Sequence, residues 1–307
     1  MKPDYVFCRK AAIAFFSVRH KMYAGFEIAL KKELCFVKKE QIEADIYVMT
    51  GEAFASNSTA LIKDDEILLI DALASSKDAE TLRHFIEDEL KKEVRFILCT
   101  HFMSDHMAAL KSFPDAQIIA HENYRQTFAS QRSLTDEEAS FFVEPTITFS
   151  DKIKMKWGRL TLDIFHNPSH TMSTIGVDVP EADLLLVGDA FFGNTVFLSS
   201  AGVPEQIRGA LKYLQTKERS RVIPGHIGIY DNKAFENALF YLNLLQKRVQ
   251  NARNSSDGER SILEISIEDC LAPKLTASEF EREFHEINLR LIIERKLFLP
   301  QSEVCLN

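Results

Sequence analysis

The chain has 307 residues, 46% of them hydrophobic, and a formal net charge of −8. That apolar content is enough for one or two packed domains and excludes disorder as a description of the whole chain. The acidic balance, with no dense cluster of Lys and Arg, excludes a polyanion footprint, so nucleic acid is not expected as a partner. No membrane is expected either, since no apolar run approaches the ~20 residues of a spanning helix.

Residues 1–43 show no clear period and read as an N-terminal extension. Within it AAIAFFSV, residues 11–18, is short for a signal-peptide core and reads as a buried strand or helix. From Ala44 the pattern turns strand-like, as ADIYVMT, NSTALIK and EILLID separated by short polar turns. The spacing of Leu82, Phe85, Ile86 and Leu90 predicts a helix over 77–92, and VRFILC follows as a strand covered on both faces. Another short strand is predicted over 115–120. The polar stretch 121–145 reads as a lid or pocket wall carrying Tyr124, Phe128, Arg132, Phe141 and Phe142, with inward aromatic packing as the alternative.

The second half repeats the scheme. KIKMKW alternates lysine with apolar residues, as a strand with one wet face does. RLTLDIF, STIGVDV and DLLLVGD are further strands, 204–216 is a helix opening on proline, and RVIPGH closes the series. Two β-rich halves with helices outside them point to an α/β (α+β) chain of two packed sheets.

The remainder reads as helical, with domain bounds of 44–252 and a tail of 253–307 packed on the core. Thr276-x-x-Glu279 is a capping-box signal before an apolar stripe of Phe280, Phe284, Ile287 and Leu291. That stripe is expected to pack on the core, with a homodimer contact as the alternative. The cysteines Cys8, Cys35, Cys99, Cys270 and Cys305 are odd in number and lack CxxC spacing. They fit reduced thiols and a cytoplasmic location.

Chemistry concentrates at strand ends. HFMSDH, residues 101–106, directly follows the buried strand VRFILC, and Ser104 is placed to cap a helix over Asp105–Lys111. His170 lies in NPSHTMST, Asp189 ends DLLLVGD, and His226 ends RVIPGH. Imidazole and carboxylate at the ends of apolar strands have no packing reason to be there, and they are ligands that zinc, iron and manganese accept. His166, four residues before His170, reads as a structural neighbour rather than a ligand. His20, His84, His121 and His285 have no partner visible in the sequence.

The ordered set His-x-x-x-Asp-His, HT, GD and PGH, together with GEAFASNSTALIKDDEILLIDA before it, resembles the metallo-β-lactamase superfamily over about residues 44–230. The resemblance implies a four-layer αββα sandwich, here with a C-terminal helical extension, and a metal site in a groove at one edge of the sheets. It further implies a first metal position held by His101, residue 103 and His170. A second would be held by Asp105, His106 and His226, with Asp189 bridging the two and Asp105 doubling as a candidate base. The implied cofactor is one or two divalent ions, zinc first, with iron or manganese as alternatives. The implied reaction is attack by a metal-bound hydroxide on an ester, thioester, amide or similar small-molecule substrate. Phe191, Phe192 and Asn194, directly after the bridging aspartate, are the expected substrate contacts.

The departure is Met103, where most members carry histidine. A thioether is a weak ligand beside imidazole, so the first position is expected to be weakened while the second stays complete. Three readings follow: a hydrolase with an altered first position, a non-catalytic metal- or ligand-binding protein, and an iron-dependent dioxygenase similar to the persulfide dioxygenases. The last would use His101, His170 and Asp189.

Overall fold

The computed structural model describes residues 37–255 and 257–299. The stretch 11–18, His20, Cys8, Cys35 and Cys305 lie outside the described residues. The first strands are β1 (Lys38–Glu43), β2 (Ile46–Thr50), β3 (Asn57–Lys63) and β4 (Glu66–Ile70). They pair consecutively and antiparallel. Strand β1 lies inside the stretch read as an irregular extension. Its pattern is mostly exposed, so it carries no apolar alternation by which it could be recognised.

Helix α1 (Ser76–His84) is capped by Ser75, whose side chain accepts the Asp78 N–H. It runs on as one π-helical turn, Phe85–Glu89, so the element predicted over 77–92 is present with a wider last turn. Strands β5 (Glu93–Leu98), β6 (Gln117–His121) and β7 (Ile147–Phe149) then add in parallel to β4, completing a seven-stranded sheet. Between β6 and β7 lie the short helices α2 (Tyr124–Ala129) and α3 (Asp136–Ser140). The second sheet holds β8 (Lys152–Trp157), β9 (Leu160–His166), β10 (Ile175–Val179), β11 (Leu184–Gly188) and β12 (Arg221–Pro224). Its order is β12-β11-β10-β9-β8, and only β11–β12 is parallel.

Strand alternation decides which residues meet between the sheets. Leu68 and Ile70 of β4 face Leu184 and Leu186 of β11 in the inner core. Their neighbours Ile67 and Leu69 turn outward to α1, and Leu185 and Val187 turn outward to the other helical layer. That layer consists of α4 (Pro204–Gln215), α5 (Lys233–Arg253), α6 (Gly258–Leu263) and α7 (Glu279–Glu294). Helix, sheet, sheet and helix form the αββα sandwich with C-terminal helices.

Two local expectations need correction. Residues 105–111 do not form a helix, and two 3-10 turns, Ser104–His106 and Leu110–Ser112, take its place. The backbone there pairs with the chain after β4, through Ala72 N–H to His106 O, Ala108 N–H to Leu73 O and Ala109 N–H to Ala72 O, so it is not free to close its own helical ring. Ser104 does not act as a side-chain cap, and its N–H donates to Gln131 Oε1. The capping box of α7 is Ser278 with Glu281, two residues beyond the predicted pair of Thr276 and Glu279.

The aromatics of 121–145 fold inward. Phe141 is buried, and Tyr124, Phe128 and Phe142 pack against the same outer core as Phe102. Of the cysteines, Cys99 and Cys270 are buried and free. Among the described residues no helix is long and apolar enough to cross a membrane.

Candidate metal centre

Four strand ends and one strand connection meet at one edge of the sandwich. After β5 come Thr100 and His101, after β11 Asp189, after β12 Gly225 and His226, and after β4 Asp71. His170 lies on the connection from β9 to β10. The sheets are joined there by Asn57, whose amide donates to Pro224 O at 2.9 Å and Gly228 O at 3.1 Å.

Asp189 stands at the middle. Its Oδ2 is 3.4 Å from His101 Nε2, 3.3 Å from His226 Nε2 and 3.7 Å from His170 Nε2. Its Oδ1 is 3.4 Å from His106 Nε2. Asp105 Oδ2 lies 3.7 Å from His226 Nε2. The ligand-capable atoms form two groups, Asp105, His106, Asp189 and His226, and His101, His170 and Asp189, each with its atoms within 4.8 Å of one another. All six metal-ligand residues expected from the sequence are therefore brought together.

The arrangement suits a cation better than it suits itself. His101 Nε2, His106 Nε2, His226 Nε2 and Asp189 Oδ1 are buried with no hydrogen-bond partner. Buried polar atoms are nearly always paired, so four orphans aimed at one point are the mark of a ligand set. The opposite ring nitrogens of three of the histidines are held. His226 Nδ1 donates to Phe54 O at 2.8 Å and His170 Nδ1 to Phe197 O at 3.4 Å. The His101 Nδ1–H donates to Thr100 Oγ1 at 3.1 Å, and the Thr100 hydroxyl donates onward to Asp71 Oδ2 at 2.6 Å. Each bond leaves Nε2 as the bare nitrogen, the form a metal takes.

Electrostatics follow from the same geometry. Burial raises the cost of charge on Asp189, yet His226, His106 and His101 hold its carboxyl well below the usual range. Burial also disfavours charge on His106, but Asp189, Asp71 and Asp105 push its pKa well above the ordinary value. The carboxylates thus draw positive charge to this point, and a metal ion would displace the proton from His106. Burial lowers His170 to about 4, which keeps it neutral and able to ligate.

Met103 sits on the first group. Its Sδ is 3.3 Å from His170 Nε2, at the distance of two donors sharing one ion. The thioether thus lies beside one histidine of that group, and its softness makes it a weak donor next to imidazole.

Asp71 is not among the residues expected from the sequence, and Gly225 enters there only within the PGH motif. Asp71 accepts Thr100 N–H at 2.7 Å, and its Oδ2 is 3.2 Å from His106 Nδ1 at an angle outside hydrogen-bond geometry. It also holds a left-handed backbone, φ 59°, of the kind retained where the surroundings over-determine it. The signal was present, because Asp71 ends the apolar strand EILLI as Asp189 ends LLLVG. At Gly225 an added Cβ would lie 1.9 Å from Asp189 Oδ1, so only glycine fits.

The three expected substrate contacts separate. Phe192 stacks on His226 with centroids 5.0 Å apart. Phe191 points the other way and packs in the outer core against Tyr230 and Phe235. Asn194 is tied to the helices, its N–H donating to Glu281 Oε1 and its Oδ1 accepting from Asn237. Neither Phe191 nor Asn194 reaches the ligand set. His166 stacks on His121 at 3.7 Å and bonds Met172 O, a structural pair away from the ligands.

A family model described as "Metallo-beta-lactamase superfamily" matches residues 51–226, more than half of the chain. A curated relative, "Metallo-beta-lactamase type 2" of Bacillus cereus, is 25% identical over 181 residues, covering 56% of this chain and 64% of that protein. The chain therefore spans less than two thirds of that relative. "Probable metallo-hydrolase YqgX" of Bacillus subtilis (strain 168) is 26% identical over 185 residues, 56% of this chain and 84% of that protein. Among solved structures, a metallo-beta-lactamase from Pontibacter korlensis superposes with a TM-score of 0.58 at 17% identity, covering 68% of this chain and 99% of that one. The sec-alkylsulfatase Pisa1 from Pseudomonas sp. gives 0.63 at 13% identity, covering 88% and 52%. At these identities the structures speak for the fold alone.

Proposed function

The chain belongs to the metallo-beta-lactamase superfamily, and from that premise we propose that it is a metal-dependent hydrolase of a small ester, thioester, amide or similar substrate. The observation that carries this reading is the set of orphaned buried donors converging on Asp189. Asp105, His106, His226 and Asp189 would hold one divalent ion, zinc first, with iron or manganese accepted by the same donors. His101, His170 and Asp189, with the Met103 thioether, would hold a second ion less tightly. When bound, such an ion lowers the pKa of water toward about 7 and polarises a carbonyl oxygen.

The chain's own contribution can be assigned to particular groups. The Asp105 side chain is 20% exposed whereas that of Asp189 is 2% exposed, so Asp105 marks the open side of the site. Burial works against its charge, but His106 and His226 hold its pKa below the usual value, so it is an ionised carboxylate ready to take the proton of an attacking water. Thr100, Phe54 and Phe197 fix the imidazoles, and Asp71 fixes Thr100. Preorganisation of this kind removes reorganisation from the reaction step.

The test is removal and return of metal. Chelated protein should lose hydrolysis of ester and thioester probes under anaerobic conditions, and zinc should restore it. Asp105→Asn should keep bound metal better than it keeps turnover. Oxygen uptake with a persulfide in place of hydrolysis would instead support the dioxygenase reading, and bound metal with no turnover of any probe would support the non-catalytic one.

A further inference from the structure

Helix α7 carries two rings onto the ligand set. Phe280 lies 5.5 Å from the His226 ring and 5.7 Å from Phe192, stacked on the latter at 13°. Phe284, one turn on, is 4.5 Å from Phe280, 5.0 Å from Phe192 and 4.8 Å from Phe197. Phe197 in turn lies 5.2 Å from the His170 ring. The four phenylalanines thus form one group resting on a histidine from each ligand group.

Only Phe192 of the four is buried, and the group stands apart from the main core. None of them belongs to the three buried hydrophobic clusters or to the residues packed against those clusters. Phe197, Phe280 and Phe284 are half-buried, whereas Phe192, against which Phe280 and Phe284 pack, is 1% exposed. The distal part of the helix does pack on the core, through Leu289 and Ile292. The stripe expected to be core is thus not the face that packs: Phe280 and Phe284 turn to the site, and neither Ile287 nor Leu291 belongs to the buried clusters.

The wall is also fixed in place. Glu281, 3% exposed, closes the α7 capping box with Oε2 and accepts Asn194 N–H on Oε1. Asn288, fully buried, accepts Leu198 N–H at 2.8 Å and donates to Val196 O at 2.7 Å. Arg295 donates to Leu198 O, Ser199 O and Gly202 O. The helix and the loop after Asp189 are locked together by buried, satisfied hydrogen bonds, which specify one geometry. Among the described residues no ring of this group lies under a lysine or arginine. The cation–ring contacts fall at Phe85, Trp157, Tyr124, Phe165 and Tyr213.

We propose that Phe280 and Phe284 of α7, backed by the buried Phe192 ring, are the specificity-determining wall of the site, and that the wall selects substrates with an apolar, uncharged group beside the scissile bond. This rests on the metal-dependent reading above. An apolar group laid against the rings leaves water on both sides, whereas a carboxylate laid there gives up hydration against the negative faces of rings that carry no lysine or arginine.

The test uses alkyl hydroxamates, which bind a metal centre without turnover, titrated calorimetrically into the zinc-loaded full chain. Hexanohydroxamate should bind at least about tenfold more tightly than acetohydroxamate, since each buried methylene contributes several-fold. The monohydroxamate of succinic acid, with an anionic tail, should bind no better than acetohydroxamate. In Phe280→Ala the hexano-to-aceto ratio should fall at least about threefold, and in Phe280→Lys preference should shift toward the anionic tail. Equal affinity for all tails, or an unchanged ratio in both variants, would overturn the wall and leave the metal site standing. Failure of acetohydroxamate itself to bind the zinc-treated parent would overturn the metal-dependent reading, and this inference with it.

Discussion

At the scale of single residues the site is decided as much by supports as by ligands. Asp71 touches no ligand-facing nitrogen, yet it holds Thr100 through two hydrogen bonds, and Thr100 holds His101. Replacing such a support lowers metal affinity by about 10- to 100-fold in comparable sites. Asp71→Asn should do the same here in competition with a chromophoric chelator, and unchanged affinity would remove Asp71 from the site. Gly225→Ala should cost metal binding more completely, because the new methyl would overlap Asp189 Oδ1. Stoichiometric zinc in that variant would show the ligand set to be looser than the geometry implies.

At the scale of elements α7 is the test case, since it is both a packing helix and a wall of the site. Glu281→Ala removes the Glu281 half of its capping box and strands the half-buried Asn194 N–H. Loss of half the capping box and of the acceptor for Asn194 N–H together should cost about 1 to 2 kcal/mol, read from the denaturant midpoint. A loss below about 0.5 kcal/mol, the size of an ordinary surface change, would contradict the clamp.

His285 adds a pH dependence to the same helix. Its Nε2–H donates to Ile265 O while Nδ1 accepts from the Tyr241 hydroxyl, so it fits only as a neutral ring. Burial lowers its pKa. The unfolded chain, with histidine near its ordinary value of about 6.5, therefore takes up the proton first as pH falls. Stability should decline as pH drops below about 6.5 and level off below the folded pKa. His285→Gln should show a shallower decline in thermal midpoint between about pH 7 and 5 than the parent. Identical profiles would mean that other histidines carry the acid sensitivity.

At the scale of the whole molecule, the alternation of apolar residues was enough to read two packed sheets, because side-chain periodicity is what closes the inner core. Strand β1 escaped because both its faces are wet, and Lys38–Glu43 gives no period to follow. The ligand residues were legible because a histidine or aspartate at the end of an apolar strand stands out from its surroundings. The direction of a side chain after such a strand was not: Phe191 and Phe192 are adjacent and alike, and only tertiary packing sends one to the core and the other to His226. Phe280 and Phe284 showed their helical spacing but not which layer they would meet, since a stripe looks the same whether it covers core or a site.

The central claim is that one ligand group is complete and the other is altered at Met103. Metal content of purified, zinc-equilibrated and desalted protein tests it directly. The parent should retain about one ion per chain, Met103→His about two, and Asp105→Ala with His226→Ala together well below one. Two ions held equally tightly by the parent, or none in either the parent or Met103→His, would contradict it.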